Sequence, residues 1–118
     1  MALLPQDIRD QLLENGKAQR KVRGTANEHD FNPVVKLFTP DASATWLLTE
    51  LDPNDPDIAF GLCDLGMGFP ELGSVRISEI ESVRGSLNLP VERDLHFKAD
   101  KPLSQYAKLA HEHQRIIT

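Results

Sequence analysis

The sequence predicts an α+β fold: an antiparallel meander sheet of four to five strands, with an N-terminal helix, a short middle helix and a C-terminal helix. Three observations predict it. Four runs rich in β-branched, aromatic and leucine residues, NPVVKLFTP, ATWLLTELD, DIAFGLCDL and GSVRIS, follow one another through the middle of the chain. The stretches between them, PDAS, PNDP and GMGFPEL, are short and built largely from Pro, Asp, Asn and Gly, which fix φ or tolerate positive φ. Connections that short make successive strands antiparallel neighbours. Helical patterning flanks this block on both sides. A chain of 118 residues suits a single domain with a hydrophobic core.

Each element has a local reason. In PQDIRDQLLEN, residues 5–15, Pro5 suits the first helical position and Asp7 the positive N-terminal end. Ile8 and Leu12 share a stripe, and Asn15-Gly16 reads as the stop. The polar run KAQRKVRGTANEHDFN then reads as a connector with at most a helical turn. In the second strand, Trp46, Leu48 and Glu50 share one face, and Leu47, Thr49 and Leu51 the other. In the third, Ile58, Phe60, Leu62 and Asp64 alternate with Ala59, Gly61, Cys63 and Leu65. Both faces are largely apolar, so helices should cover both sides. SEIESVRG matches a capping box, with Ser78 as N-cap, Glu81 three residues on, Gly85 as the stop, and Ile80 and Val83 inward. LPVERDLHF is a fifth candidate strand with Val91, Arg93, Leu95 and Phe97 on one side. Asp100-Lys101-Pro102 opens the last helix, whose apolar stripe is Leu103, Tyr106, Ala107 and Ala110.

Composition narrows the function classes. No apolar run approaches the roughly 20 residues that cross a bilayer. MALLPQDIRDQLL lacks the basic and apolar regions of a signal peptide. A lone cysteine, Cys63, makes no internal disulfide, and a cytoplasmic location is expected. The four histidines lack zinc-ligand spacing, and no cofactor motif is present, so no cofactor is expected. GMGF does not lead into a helix, as a phosphate loop must; its glycines suit a wide turn instead. No serine sits in a GxSxG context, DPNDPD lacks the glycine and distal glutamate of a calcium loop, and His111 and His113 diverge around their helix. A strand-buried Cys63 reads as structural.

The net charge is −5, and its distribution is uneven. Between Leu37 and Val75 there is no Lys or Arg, yet the stretch carries Asp41, Glu50, Asp52, Asp55, Asp57, Asp64 and Glu71. Such a segment reads either as solvated strand edges and turns, or as a negative surface for a basic protein partner. In the second reading the binding residues are Glu50, Asp52, Asp55, Asp57, Asp64 and Glu71, with Trp46 as an aromatic anchor. Nucleic-acid binding through this segment is disfavoured, because phosphate contacts need clustered bases. Asp64 and Glu71 flank the GMGFP turn; facing each other, they would hold a cation or split their pKa values. With Asp94 and His96 they make the one candidate set for a small metal-dependent or acid–base hydrolase. Lys17, Arg20, Lys21 and Arg23 are the candidate phosphate contacts of a nucleic-acid accessory protein.

The stretch KLFTPDASATWLLTELDPNDPDIAFGLCDLGMGFPELG, followed by the later S-E-I…R…LPVERDLHF, resembles a bacterial family of small domains of unknown function. The resemblance runs from about Asn15 to Tyr106; the family's usual aromatic after ELG is Ser74 here. It implies no activity. It implies a setting on plasmids and integrative conjugative elements, near antirestriction and transfer genes, where small acidic proteins block host defence enzymes. The expectation is therefore a non-enzymatic interaction protein with an acidic central surface. The hydrolase and the nucleic-acid accessory protein are its alternatives.

Overall fold

The structure is a computed structural model that describes residues 3–118. Helix α1 spans Gln6–Val22, strand β1 Val35–Phe38, β2 Thr45–Asp52, β3 Asp55–Asp64 and β4 Glu71–Arg76. Helix α2 (Ile77–Ser82), strand β5 (Glu92–Arg93) and helix α3 (Leu103–His113) follow. The five strands form one antiparallel sheet in the order β4-β3-β2-β1-β5. The first four are the expected meander. β2 and β3 sit in the middle and are covered on both faces. On one face α1 and α2 bury Leu12, Leu37, Trp46, Leu48, Leu51, Ala59, Ile77 and Ile80. On the other, α3 buries Leu47 and Leu62 with the predicted stripe Leu103, Tyr106, Ala107 and Ala110.

Four local expectations are corrected. Helix α1 does not stop at Asn15-Gly16 but runs on to Val22. Gly16 is there for close packing: a Cβ would overlap the carbonyl oxygen of Leu51, so only glycine lets α1 sit this near β2. Asn15 turns inward and donates from Nδ2 to the Thr49 carbonyl at 2.9 Å. Second, the alternation of β2 breaks at Thr49, where the register to β3 slips. This bulge turns Leu51 to the α1 face with Trp46 and Leu48, and puts Glu50 opposite Phe60 on the other.

Third, α2 begins at Ile77 and Ser78 is not its cap. Ser78 instead donates from both its N–H (2.9 Å) and its hydroxyl (2.7 Å) to Asp57, so a carboxylate from β3 caps the helix. Asp30 does the same for α3, accepting from the N–H of Ser104 at 3.1 Å and from its hydroxyl. An anion at a helix start satisfies free N–H groups and opposes the macrodipole. Fourth, the fifth strand is two residues long. Asp94 ends it by accepting the N–H of His96 at 2.9 Å, which turns the chain away from the sheet.

Candidate functional site

Most of the residues singled out by charge lie in three places; Asp41 lies apart from them, accepting the N–H groups of Leu87 (2.7 Å) and Leu89 (3.2 Å). The first is the hairpin that joins β2 to β3. Asp52 accepts the N–H of Asn54 at 2.8 Å and closes the turn. Arg76 reaches Asp55 at 3.3 Å and Asp57 at 3.5 Å. The Ser78 hydroxyl, then its N–H, then Arg76 hold the Asp57 carboxyl below the ordinary aspartate range. These acids are engaged in shaping the fold, and the base-free stretch is neutralised from its flanks: Arg76 serves Asp55 and Asp57, and Arg23 serves Glu50.

The second place is a cleft of about 510 Å³ beside this hairpin, between the C-terminal half of α1, the following connector and the facing ends of β2 and β3. Gln19, Arg20, Arg23, Glu28, Glu50 and Phe60 are among its lining residues. Glu50 is 4% exposed. Burial pushes its carboxyl up from the ordinary range, against the lowering pull of Arg23, Thr49 and Gln19, while Glu28 pushes it further up. Its Oε2 lies 3.4 Å from Arg23 Nη2, and its Oε1 lies 3.5 Å from the Thr49 hydroxyl. The bulge at Thr49 is what turns this carboxylate to the cleft. Arg20, which donates to Asn54 at 2.7 Å, lines the same cleft. All four candidate phosphate contacts are exposed; Arg20 and Arg23 line the cleft, and Lys17 and Lys21 do not.

The third place is the connection from β3 to β4, at the other end of the sheet. Asp64 is 3% exposed and both its oxygens are used: Oδ1 accepts the N–H of Gly66 at 2.8 Å, and Oδ2 that of Ile116 at 3.0 Å. Gly66 and Gly68 take positive φ, as the turn requires. The His111 ring meets the Pro70 carbonyl at 3.0 Å. Anchored at these points, the loop presents Leu65, Met67 (69% exposed), Phe69 (79% exposed) and, at the start of β4, Leu72 to solvent. Glu71 is exposed between Phe69 and Leu72.

The four-residue acid–base set is not brought together. Glu71 stands opposite Cys63, so Asp64, one residue further along β3, points to the other face. Asp94 and His96 follow β5 at one sheet edge, while Glu71 lies on β4 at the other. Four inter-strand steps of about 4.8 Å put them on the order of 19 Å apart. Asp94 is instead 3.7 Å from Lys36, and His96 is exposed. Among the described residues, no group of three or more His, Cys, Asp or Glu side chains is placed to hold a metal ion. Trp46 is 2% exposed in the α1 core and offers no surface anchor. Burial pushes the Cys63 thiol up to about 11, which keeps it protonated and unreactive. No helix of the described residues is long and apolar enough to cross a membrane.

Sequence reasoning placed Leu65 at the end of the third strand and Met67 and Phe69 in the turn after it; the strand ends at Asp64. Their signal was the placing of large apolar side chains beside turn glycines, where polar residues are usual. The family described as Protein of unknown function (DUF2958) matches residues 3–117. No curated protein and no solved structure matches the chain.

Proposed function

We propose that this chain, which belongs to the DUF2958 family of proteins of unknown function, is a non-enzymatic interaction protein that presents its β3–β4 tip to a protein partner. The observation that carries the reading is the tip itself: Leu65, Met67, Phe69 and Leu72 are exposed within eight residues, on a loop anchored by Asp64 and His111. Contiguous exposed apolar side chains on a soluble surface mark interaction sites. An anchored loop also loses less entropy on docking than a free one. Glu71 adds an exposed carboxylate at the edge of the tip, on the face of β4 opposite to Leu72. The partner that fits is a protein with an apolar groove rimmed by Lys or Arg. The basic partner expected from charge is thereby kept, but its contact moves from the hairpin acids to Glu71 and the apolar tip. On mobile DNA, the setting the resemblance implies, that partner would be a host protein such as a defence enzyme.

Capture from host lysate tests the reading. The wild-type chain should enrich one protein at low salt and less of it at high salt. A Met67→Ser/Phe69→Ser double variant should lose that protein, and Leu87→Ser, an exposed apolar change outside the tip, should retain it. Equal capture by the wild type and the double variant would reject the tip as the docking surface.

A further inference from the structure

We propose that β4 is a receiving edge for an extended segment of the protein partner, which joins the sheet as a further strand with a basic side chain against Glu71 and an apolar one against Leu72. The inference rests on the reading of the tip as a docking surface and gives the partner its conformation there. β4 ends the sheet, and among the described residues no strand pairs with its outer side. Sheet edges are usually blunted by Lys, Pro, a bulge or a covering element. β4 holds no Lys or Pro, and its register to β3 runs unbroken from Glu71 to Arg76. Its middle residues Leu72, Gly73, Ser74 and Val75 are uncharged, and none of them is buried.

The register tells which backbone groups face outward. Thr39 donates its N–H to the Ala44 carbonyl at 3.0 Å, so in the same register Leu37 bonds Trp46 and Val35 bonds Leu48. Bonded and unbonded pairs alternate in an antiparallel ladder, and a residue bonded to one neighbouring strand turns no backbone group to the other. Thr45 and Leu47 therefore bond Asp64 and Leu62. Cys63, Gly61 and Ala59 in turn bond Glu71, Gly73 and Val75. Leu72 and Ser74 are left with both N–H and C=O pointing away from the sheet, and Arg76 with its N–H. Such a row takes an extended chain by main-chain hydrogen bonds.

The side chains select the occupant. Leu72 and Ser74 lie on the α3 face, and Glu71, Gly73 and Val75 on the α1 face. Glu71 is exposed, and Gly73 leaves open space beside it. Directly opposed residues share a face, so a strand of alternating basic and apolar side chains serves Glu71 and Leu72 together. A second copy of the chain fits worse. A two-fold that pairs β4 with itself runs the strands antiparallel and keeps like faces on one side. Glu71 and Arg76 lie on opposite faces, so neither meets its opposite charge. Each apolar tip would also come beside the other copy's Arg76 and Asp55, which form an ion pair.

The test is a titration of the full chain, followed by amide NMR, with a blocked hexapeptide of alternating lysine and valine as probe. The same peptide with glutamate for lysine is the charge control. The lysine peptide should shift the amides of Leu72, Ser74 and Arg76 and slow their hydrogen exchange. Gly73 and Val75, already bonded to β3, should exchange slowly before and after. Ser74→Pro removes an outward N–H and leaves the β3 ladder intact; it should weaken binding by about tenfold. Ser74→Ala keeps that N–H and should bind as the wild type does. Glu71→Lys, which reads the same edge if the proline variant does not fold, should reverse the preference toward the glutamate peptide. The proposal is overturned by no shifts up to tens of millimolar peptide, by equal binding of the two peptides, by equal binding to Ser74→Pro, or by a dimer that Ser74→Pro dissolves, which would assign the edge to a second copy. In lysate capture, a partner lost by Met67→Ser/Phe69→Ser but held by Ser74→Pro would leave the tip reading standing and overturn the added strand.

Discussion

The two ends of β3 solve opposite problems. At its start, Asp55 and Asp57 carry charge that the fold pairs at its surface: Arg76 reaches both, and Asp57 caps α2. At its far end, Asp64 is buried to hold a turn, and the apolar side chains Leu65, Met67 and Phe69 are turned outward. The difference teaches that charge in a sequence is not charge at a surface. The stretch without a single Lys or Arg looks like a docking face, but its hairpin end is neutralised by bases that lie outside it. The end that looks like an ordinary glycine turn is the one that leaves large apolar side chains in water. Exposure, not composition, therefore separates the end that builds from the end that can bind.

That contrast can be broken at either end. The largest effect is expected at the hairpin end from Gly16→Ala. The added Cβ would overlap the Leu51 carbonyl oxygen, which belongs to backbone and cannot swing away. Unfolding in urea should show a loss of about 3 kcal/mol. At the tip end, Asp64→Ala leaves the N–H groups of Gly66 and Ile116 without their acceptor. A loss of about 2–3 kcal/mol is expected, with faster hydrogen exchange at those two amides; unchanged exchange there would mean that Asp64 does not anchor the tip.

Smaller changes sharpen the contrast through pH. Asp57→Ala should lower Tm by on the order of a few degrees, as loss of a helix cap does. The folded carboxyl titrates below its unfolded value, so its stabilisation is present above the unfolded pKa and is lost as pH falls through the folded one. The Tm deficit of the variant should thus shrink in acid. Glu50→Gln should behave with the opposite sign. Burial raises the folded pKa of Glu50, so the stability linked to its protonated form is lost as pH rises through that pKa. The variant should gain on the wild type across the same rise, and Tm measured against pH reads both. The smallest effect on stability belongs to Phe69→Ser, within about 0.5 kcal/mol, because the ring packs on little. Partner capture, rather than Tm, should register that change.

Much of the fold was legible. The four meander strands followed from β-rich runs separated by Pro, Asp and Gly, and the α3 stripe from its 3.6-residue spacing. Of the sites, Glu50 was picked for its charge, but nothing local announced its burial. That depends on the bulge at Thr49, whose carbonyl is taken by Asn15, 34 residues away. Asp64 and Glu71 looked paired across a turn because sequence distance was short; the register of β3 against β4 sends them to opposite faces.

By itself the sequence determined what one stretch of chain can decide: strand and helix periodicity, the φ values that glycine and proline permit, and the order of antiparallel neighbours. Tertiary structure alone decided which residues meet. It turned Gly16 from a helix stop into a packing contact, drew Asp30 and Asp57 onto distant helix starts, and brought Arg23 and Arg76 to acids 27 and 19 residues away. The physical reason is that a periodic pattern is set by neighbours along the backbone. A carboxylate's partner is set by the dock of one element on another, which the local pattern does not encode.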